Sequence, residues 1–175
     1  VVTVGVNMEE IEVLKSKALD TYLSEAKYTQ VEDLLTACVV EISCSVANMM
    51  RLIYQIRGSG KAPDLKDIRS ETQNVIRHVA IMAHCVNVEI PEFEEIEEFY
   101  EDELTIEVKM DAMMALMSIQ YISSNMTMEY FSGLAEEDDM VDEDILEVGI
   151  VDMLANAYSV CNRFKLDYTN VIVYG

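Results

Sequence analysis

Glu71, Asn74 and His78 recur at spacings of three and four in DIRSETQNVIRHVAIMAHCVNVEI, residues 67–90, a run that is otherwise largely apolar. On a helix these spacings place the three side chains on one face. A second thread, Glu41, Ser45 and Asn48, follows the same rule within ACVVEISCSVANMMRLI, again flanked by apolar residues. Enclosed polar groups need partners, and an enclosed carboxylate needs a cation, donors or a proton. If the two helices pack antiparallel, as their short connection suggests, Glu41 and Glu71 face each other. Two carboxylates converging between bundle helices make an ordinary site for Mg²⁺, which prefers oxygen ligands and keeps waters for substrate phosphates.

The connection itself, YQIRGSGKAPD, sets Arg57 and Lys61 around Gly58 and Gly60 just ahead of the next helix. Half of the twelve basic residues of the chain fall between Arg51 and Arg77. A basic, glycine-containing turn at a helix N-terminus is a candidate anion cradle, so Arg57 and Lys61 are the expected phosphate-binding residues. It is not a Walker loop, which requires GxxxxGK[ST]. His84 lies near a helix end, where a cation suits the dipole. Met49, Met50, Met113, Met114 and Met117 are expected in the core. No spacing supports a Ser–His–Asp or Cys–His arrangement.

These threads need helices to position them, and the helix signals are legible. Asn7 with Glu10 forms a capping-box pattern, Val6 is placed to staple onto Ile11, and a helix is expected over about residues 8–26. Thr29 with Glu32 repeats the pattern and opens a central helix ending near Gly58, its apolar residues spread over more than one face. Asp64 caps a third helix reaching about Asn87, and Pro91 stands at an acidic first turn of a fourth. A fifth starts near Thr105 and runs through KMDAMMALMSIQYISSNM. The acidic AEEDDMVDEDILE leads to a last long helix over about residues 142–163, and FKLDYTNVIVYG closes the chain with a short turn or helix. The expectation is a single all-α domain, a bundle of about six helices.

A faint internal repeat joins residues 28–95 to 108–172. A shift of 78 lays NVEIPEF over KLDYTNV, Asn74 over Asp152 and His78 over Asn156.

Composition bounds what such a domain does. With 175 residues, half of them apolar, and only two prolines and six glycines, the chain supports one helical core. Cys38, Cys44, Cys85 and Cys161 show no zinc spacing and read mostly as buried thiols of a reducing, cytoplasmic compartment. No uninterrupted apolar stretch has the length of a membrane span, so no membrane partner is expected. The formal charge of −21 argues against direct nucleic-acid binding, which needs clustered Lys and Arg.

Residues 30–95 resemble the all-α NTP pyrophosphohydrolases, the MazG-like group, with a weaker echo over 108–172. That family carries ExxE on one helix and ExxD on the next, followed by an apolar run. Here Glu41-Ile-Ser-Cys44 and Glu71-Thr-Gln-Asn74 stand in those places, and VIRHVAIMAHCVNVEI resembles the run and its close. The resemblance implies a bundle whose carboxylates hold Mg²⁺ for cleavage of nucleoside triphosphates between the α- and β-phosphates. On that alignment Glu41, Glu71 and Asn74 are the metal ligands, while Ser45, Asn48, His78 and, in the echo, Asp152 complete the site face. Cys44 and Asn74 replace two of the four acids, and the echo reads Met117 with Gln120 and Gly149 with Asp152. An amide oxygen ligates but neither neutralises a cation nor accepts a proton from water. The expectation is therefore a nucleotide-binding protein with weak or absent hydrolysis and weak or lost Mg²⁺. The competing reading is an acidic interaction protein that engages a basic partner through residues 92–103 or 136–147, including a viral-type mimic of DNA. A third is a self-associating structural subunit of a larger helical assembly.

Overall fold

A computed structural model describes residues 31–62, 64–135 and 142–173. The helix expected over 8–26, and the acidic loop between residues 136 and 141, lie outside the described residues. Seven helices and no strand occur among the described residues: α1 (Val31–Ser59), α2 (Leu65–Cys85), α3 (Phe93–Asp102), α4 (Ile106–Met110), α5 (Ala112–Ala135), α6 (Glu143–Arg163) and α7 (Tyr168–Val173). The all-α bundle read from the sequence is the fold.

α1 opens with Glu32 and Asp33 in its first turn and carries Arg57 in its last, both favourable to the helix dipole. It ends where Gly60 takes φ +67° and donates its N–H to the Ile56 carbonyl at 2.9 Å. Glycine enters this left-handed region without steric cost. α2 starts at Asp64, whose carboxylate accepts the N–H of Lys66 at 2.9 Å. Two cross-contacts, Asn48 with Glu71 and Ser45 with Asn74, advance in opposite chain directions, so α1 and α2 are antiparallel. By length and composition α1 alone among the described helices suffices to cross a membrane; in this fold it buries Leu35, Cys38, Ile42 and Met49 in the bundle.

α1 packs on α2 and α5, while α6 packs on α5 and α2, so the four long helices close a ring with α1 and α6 on one diagonal. α3 covers α6 and meets it through an aromatic cluster. Tyr158 stands edge-on to Phe93, Tyr100 and Tyr168 with centroids 5.0–5.7 Å apart.

The fifth helix departs from its expected continuity, breaking at Asp111 into α4 and α5. Asp111 adopts extended backbone, and its Oδ1 accepts the Met113 N–H and an Arg57 N–H, each at 3.0 Å. One aspartate thus starts α5 and ties it to the end of α1.

α2 and α6 match closely: both have 21 residues, and Asp64 and Asp142 cap them through the N–H two residues on. Both end at a residue of positive φ, Asn87 at 58° and Lys165 at 55°. Val88 N–H to Ala83 C=O at 2.9 Å is repeated by Leu166 to Cys161 at 2.8 Å. These pairs all sit 78 residues apart, as Asp64 and Asp142 do. The buried positions of α1 and α5 also correspond, but at a shift of 81: Leu34 to Ala115, Leu35 to Leu116, Cys38 to Ile119 and Val46 to Thr127.

Candidate functional site

The two polar threads meet. Glu41, Cys44, Ser45 and Asn48 of α1 and Ser70, Glu71, Gln73, Asn74 and Arg77 of α2 line one cleft of about 300 Å³. Helix periodicity explains the gathering, since 41, 45 and 48 stack on one face of α1 while 71 and 74 do so on α2. Glu71 Oε1 accepts a hydrogen bond from Asn48 Nδ2 at 3.2 Å. Asn74 Nδ2 donates to Ser45 Oγ at 2.7 Å, which fixes the amide and leaves its oxygen as the acceptor end. Between the two helices the buried Thr72 donates to the Ile68 carbonyl at 2.7 Å and lies 3.4 Å from the Met49 sulfur. Glu41 and Cys44 are exposed at the mouth, where a ligand would enter.

His78 does not belong to this set. It shares a face with Glu71 and Asn74, but it is only 3% exposed and its Nδ1 donates to the Asn74 carbonyl at 2.7 Å. A carbonyl only accepts, so that nitrogen carries the proton. Burial lowers the His78 pKa; the Asn74 carbonyl and Glu41 oppose this, and Arg77 adds to it. The imidazole is a neutral core side chain, one turn too deep for the cleft.

The expected phosphate-binding residues stand outside this lining. Arg57 pairs with Asp111 at 3.0 Å, and neither Arg57 nor Lys61 lines the cleft. The Gly58–Gly60 turn is the C-terminal cap of α1, the negative end of a helix dipole, and the Asp64 carboxylate already accepts the Lys66 N–H at the start of α2. Arg77, which sequence reasoning passed over, is the basic side chain that lines the cleft. Its signal was available: it lies three residues beyond Asn74, on the same helical face.

Asp152 lies elsewhere, in the cleft between α5 and α6. At a shift of 81 on α5 and 78 on α6, this is the counterpart of the first cleft, with Ile122, Asn125, Met126 and Glu129 for Glu41, Cys44, Ser45 and Asn48. Gly149 and Asp152 stand for Glu71 and Asn74. Met117 and Gln120, paired with the first motif on the sequence alone, sit elsewhere on α5, and Gln120 donates to Ser43 of α1 at 2.8 Å. Burial pushes the Asp152 carboxyl up to about 6 against the lowering effect of Asn156, whose Nδ2 donates to it at 2.8 Å.

Cys38 and Cys161 are buried and Cys85 half-buried, and burial raises their thiols to about 12, 12 and 11. They are protonated core side chains. Among the described residues no three His, Cys, Asp or Glu side chains gather into a metal-holding group. Comparison with family models, with curated proteins and with solved structures finds no match for this chain.

Proposed function

We propose that the chain is a MazG-like nucleotide-binding protein whose α1–α2 cleft receives the phosphates of a nucleotide, with hydrolysis weak or lost. The observation that carries this reading is the polar lining of that cleft, set against its counterpart on α5 and α6. There Ile122, Met126 and Gly149 take the places of Glu41, Ser45 and Glu71 on the same scaffold, so the helix pair forms without polar groups at those three positions. Asn48 and Ser45 hold the half-buried Glu71 and Asn74, which preorganises a carboxylate and an amide oxygen for a ligand. The recurrence of caps and buried positions further supports a duplicated unit, with the two hairpins as its halves.

The residues present suit Mg²⁺ only in part. Glu41 and Glu71 are anionic oxygen donors, and the oriented Asn74 oxygen adds a neutral one. Cys44 stands where the resemblance places a third acid, and a thiol is a poor ligand for a hard cation. A bound Mg²⁺ would neutralise phosphate oxygens. Arg77 supplies positive charge to the same phosphates, and Asn48 holds Glu71 in place. No side chain in the cleft combines the position and basicity needed to deprotonate an attacking water efficiently.

Thermal unfolding with a panel of NTPs and dNTPs, with and without Mg²⁺, tests the reading. The melting temperature rises with nucleotide concentration, Glu71→Gln diminishes the rise, and pyrophosphate release stays near background. Absence of a rise with every nucleotide overturns the proposal, and rapid Mg²⁺-dependent hydrolysis overturns its inactive form.

A further inference from the structure

The counterpart cleft is not merely a lost copy of the first. It is a cavity of about 640 Å³ with Tyr121, Met126 and Met128 on the α5 side and Ile145 and Val148 on the α6 side. Tyr121 is 69% exposed, Met128 66% and Val148 52%. Its charged lining is Glu129, Asp144 and Asp152. Across the ridge of α6, Val148 also lines a second cavity of about 420 Å³, whose charged side chains are Glu89, Glu92, Glu95 and Glu147. Among the described residues no Lys, Arg or His lines either cavity. The result is an apolar furrow between α5 and α6, adaptable through its methionines, with three carboxylates in its lining and four more in the neighbouring cavity beyond Val148.

We infer that this furrow on α5 and α6 is a docking surface for a basic amphipathic helix of another protein. The apolar stripe of such a helix fits along Tyr121, Met128 and Val148, and its flanking Lys and Arg meet these carboxylates. Charge selects this occupant over the alternatives. A second copy would bring another −21 to an already acidic face. Residues 1–30 of the same chain hold three lysines against five acidic residues, so they lack the complementary charge. The basic residues Arg51–Arg77 are committed to the α1–α2 hairpin on the other side of the ring.

The test uses the full chain and two synthetic Leu/Lys peptides of about 18 residues, roughly five helical turns. One places leucines at i, i+3, i+4 and i+7; the other has the same composition scrambled to remove the stripe. By fluorescence anisotropy the amphipathic peptide binds about tenfold or more tightly than the scrambled one, and added salt weakens it. Val148→Lys and Met128→Lys, both at exposed positions, each lower that affinity about tenfold while circular dichroism stays unchanged. Equal binding of the two peptides overturns the inference, since net charge alone then suffices. Unchanged binding in both variants does so too. Light scattering that finds a dimer dispersed by Val148→Lys assigns the furrow to a second copy instead. A photo-crosslinker at Met128 that captures residues 1–30 assigns it to the chain itself.

Discussion

Where α2 sets Glu71 against Asn48, α6 has Gly149; where α1 has Ser45 holding Asn74, α5 has Met126. A β-carbon on Gly149 would stand 2.9 Å from the Met126 sulfur, so the thioether lies in space that any side chain at 149 would need. One hairpin joins these positions by hydrogen bonds across a polar cleft, and the other sets Ile122, Met126 and Gly149 among Asn125, Glu129 and Asp152 in a larger one. The frames are alike down to their capping aspartates and left-handed exits. The difference teaches that one helix-pair frame accepts both a polar and a mixed lining at these positions. In the second hairpin Asp152 is a partly buried carboxyl that accepts from Asn156, whose own buried Oδ1 has no hydrogen-bond partner among the described residues.

The largest expected effect comes from completing the polar cleft. Cys44→Glu with Asn74→Asp adds two anionic donors beside Glu41 and Glu71. Calorimetric Mg²⁺ affinity rises by about tenfold or more, since each added carboxylate contributes on the order of 1 kcal/mol near the surface. Pyrophosphate release from NTPs or dNTPs then becomes measurable. A well-folded double variant with unchanged metal affinity would break the comparison by showing that the thread never faced a cation.

Gly149→Ala probes the second cleft. The close approach of Met126 makes the variant less stable by about 1–2 kcal/mol in denaturant unfolding, overpacking outweighing the better helix propensity of alanine. In a Met126→Ala background the clash is gone, and the same substitution stabilises by up to about 1 kcal/mol. A cycle without this reversal would mean that Met126 does not hold that space.

Asp152→Asn sharpens the contrast through pH. Burial raises the carboxyl to about 6, above its unfolded value near 4. Between those values the folded state holds the extra proton, so stability falls as pH rises through this window. Above about pH 6 the ionised group costs on the order of 1 kcal/mol after discounting for solvent screening. Asp152→Asn therefore raises the melting temperature at pH 7.5 and leaves it nearly unchanged at pH 4. Asn74, at the corresponding place in α2, already has this neutral form.

The smallest effect separates capping from pairing. Arg57 and Asp111 are 59% and 40% exposed, so Arg57→Ala costs under about 0.5 kcal/mol and leaves nucleotide binding intact. Asp111→Ala also removes the cap of α5 and costs about 1 kcal/mol in chemical denaturation.

Much of the frame was legible because its signals are local. Asp64 and Asp142 advertise helix starts through their own side chains, and the spacing of Glu41, Ser45 and Asn48 fixes a shared face whatever packs beyond it. The break at Asp111 was not legible: AMMALMSIQ continues the helical pattern, and nothing in that run announces that Asp111 takes extended backbone and caps α5. The direction of His78 was not legible either, since membership of a face does not say which edge of that face sinks into the core.

From its residues alone the chain determined an all-α fold, the places where α2 and α6 begin, and the two polar threads, because backbone capping and 3.6-residue periodicity act within a few residues. Tertiary structure decided which threads meet, which basic residue serves the cleft, and that a shift of 81 on α5 accompanies 78 on α6. It also joined two separated acidic stretches around Val148. These outcomes depend on how far one helix slides against another, which the close packing of buried side chains sets and no single stretch of sequence encodes.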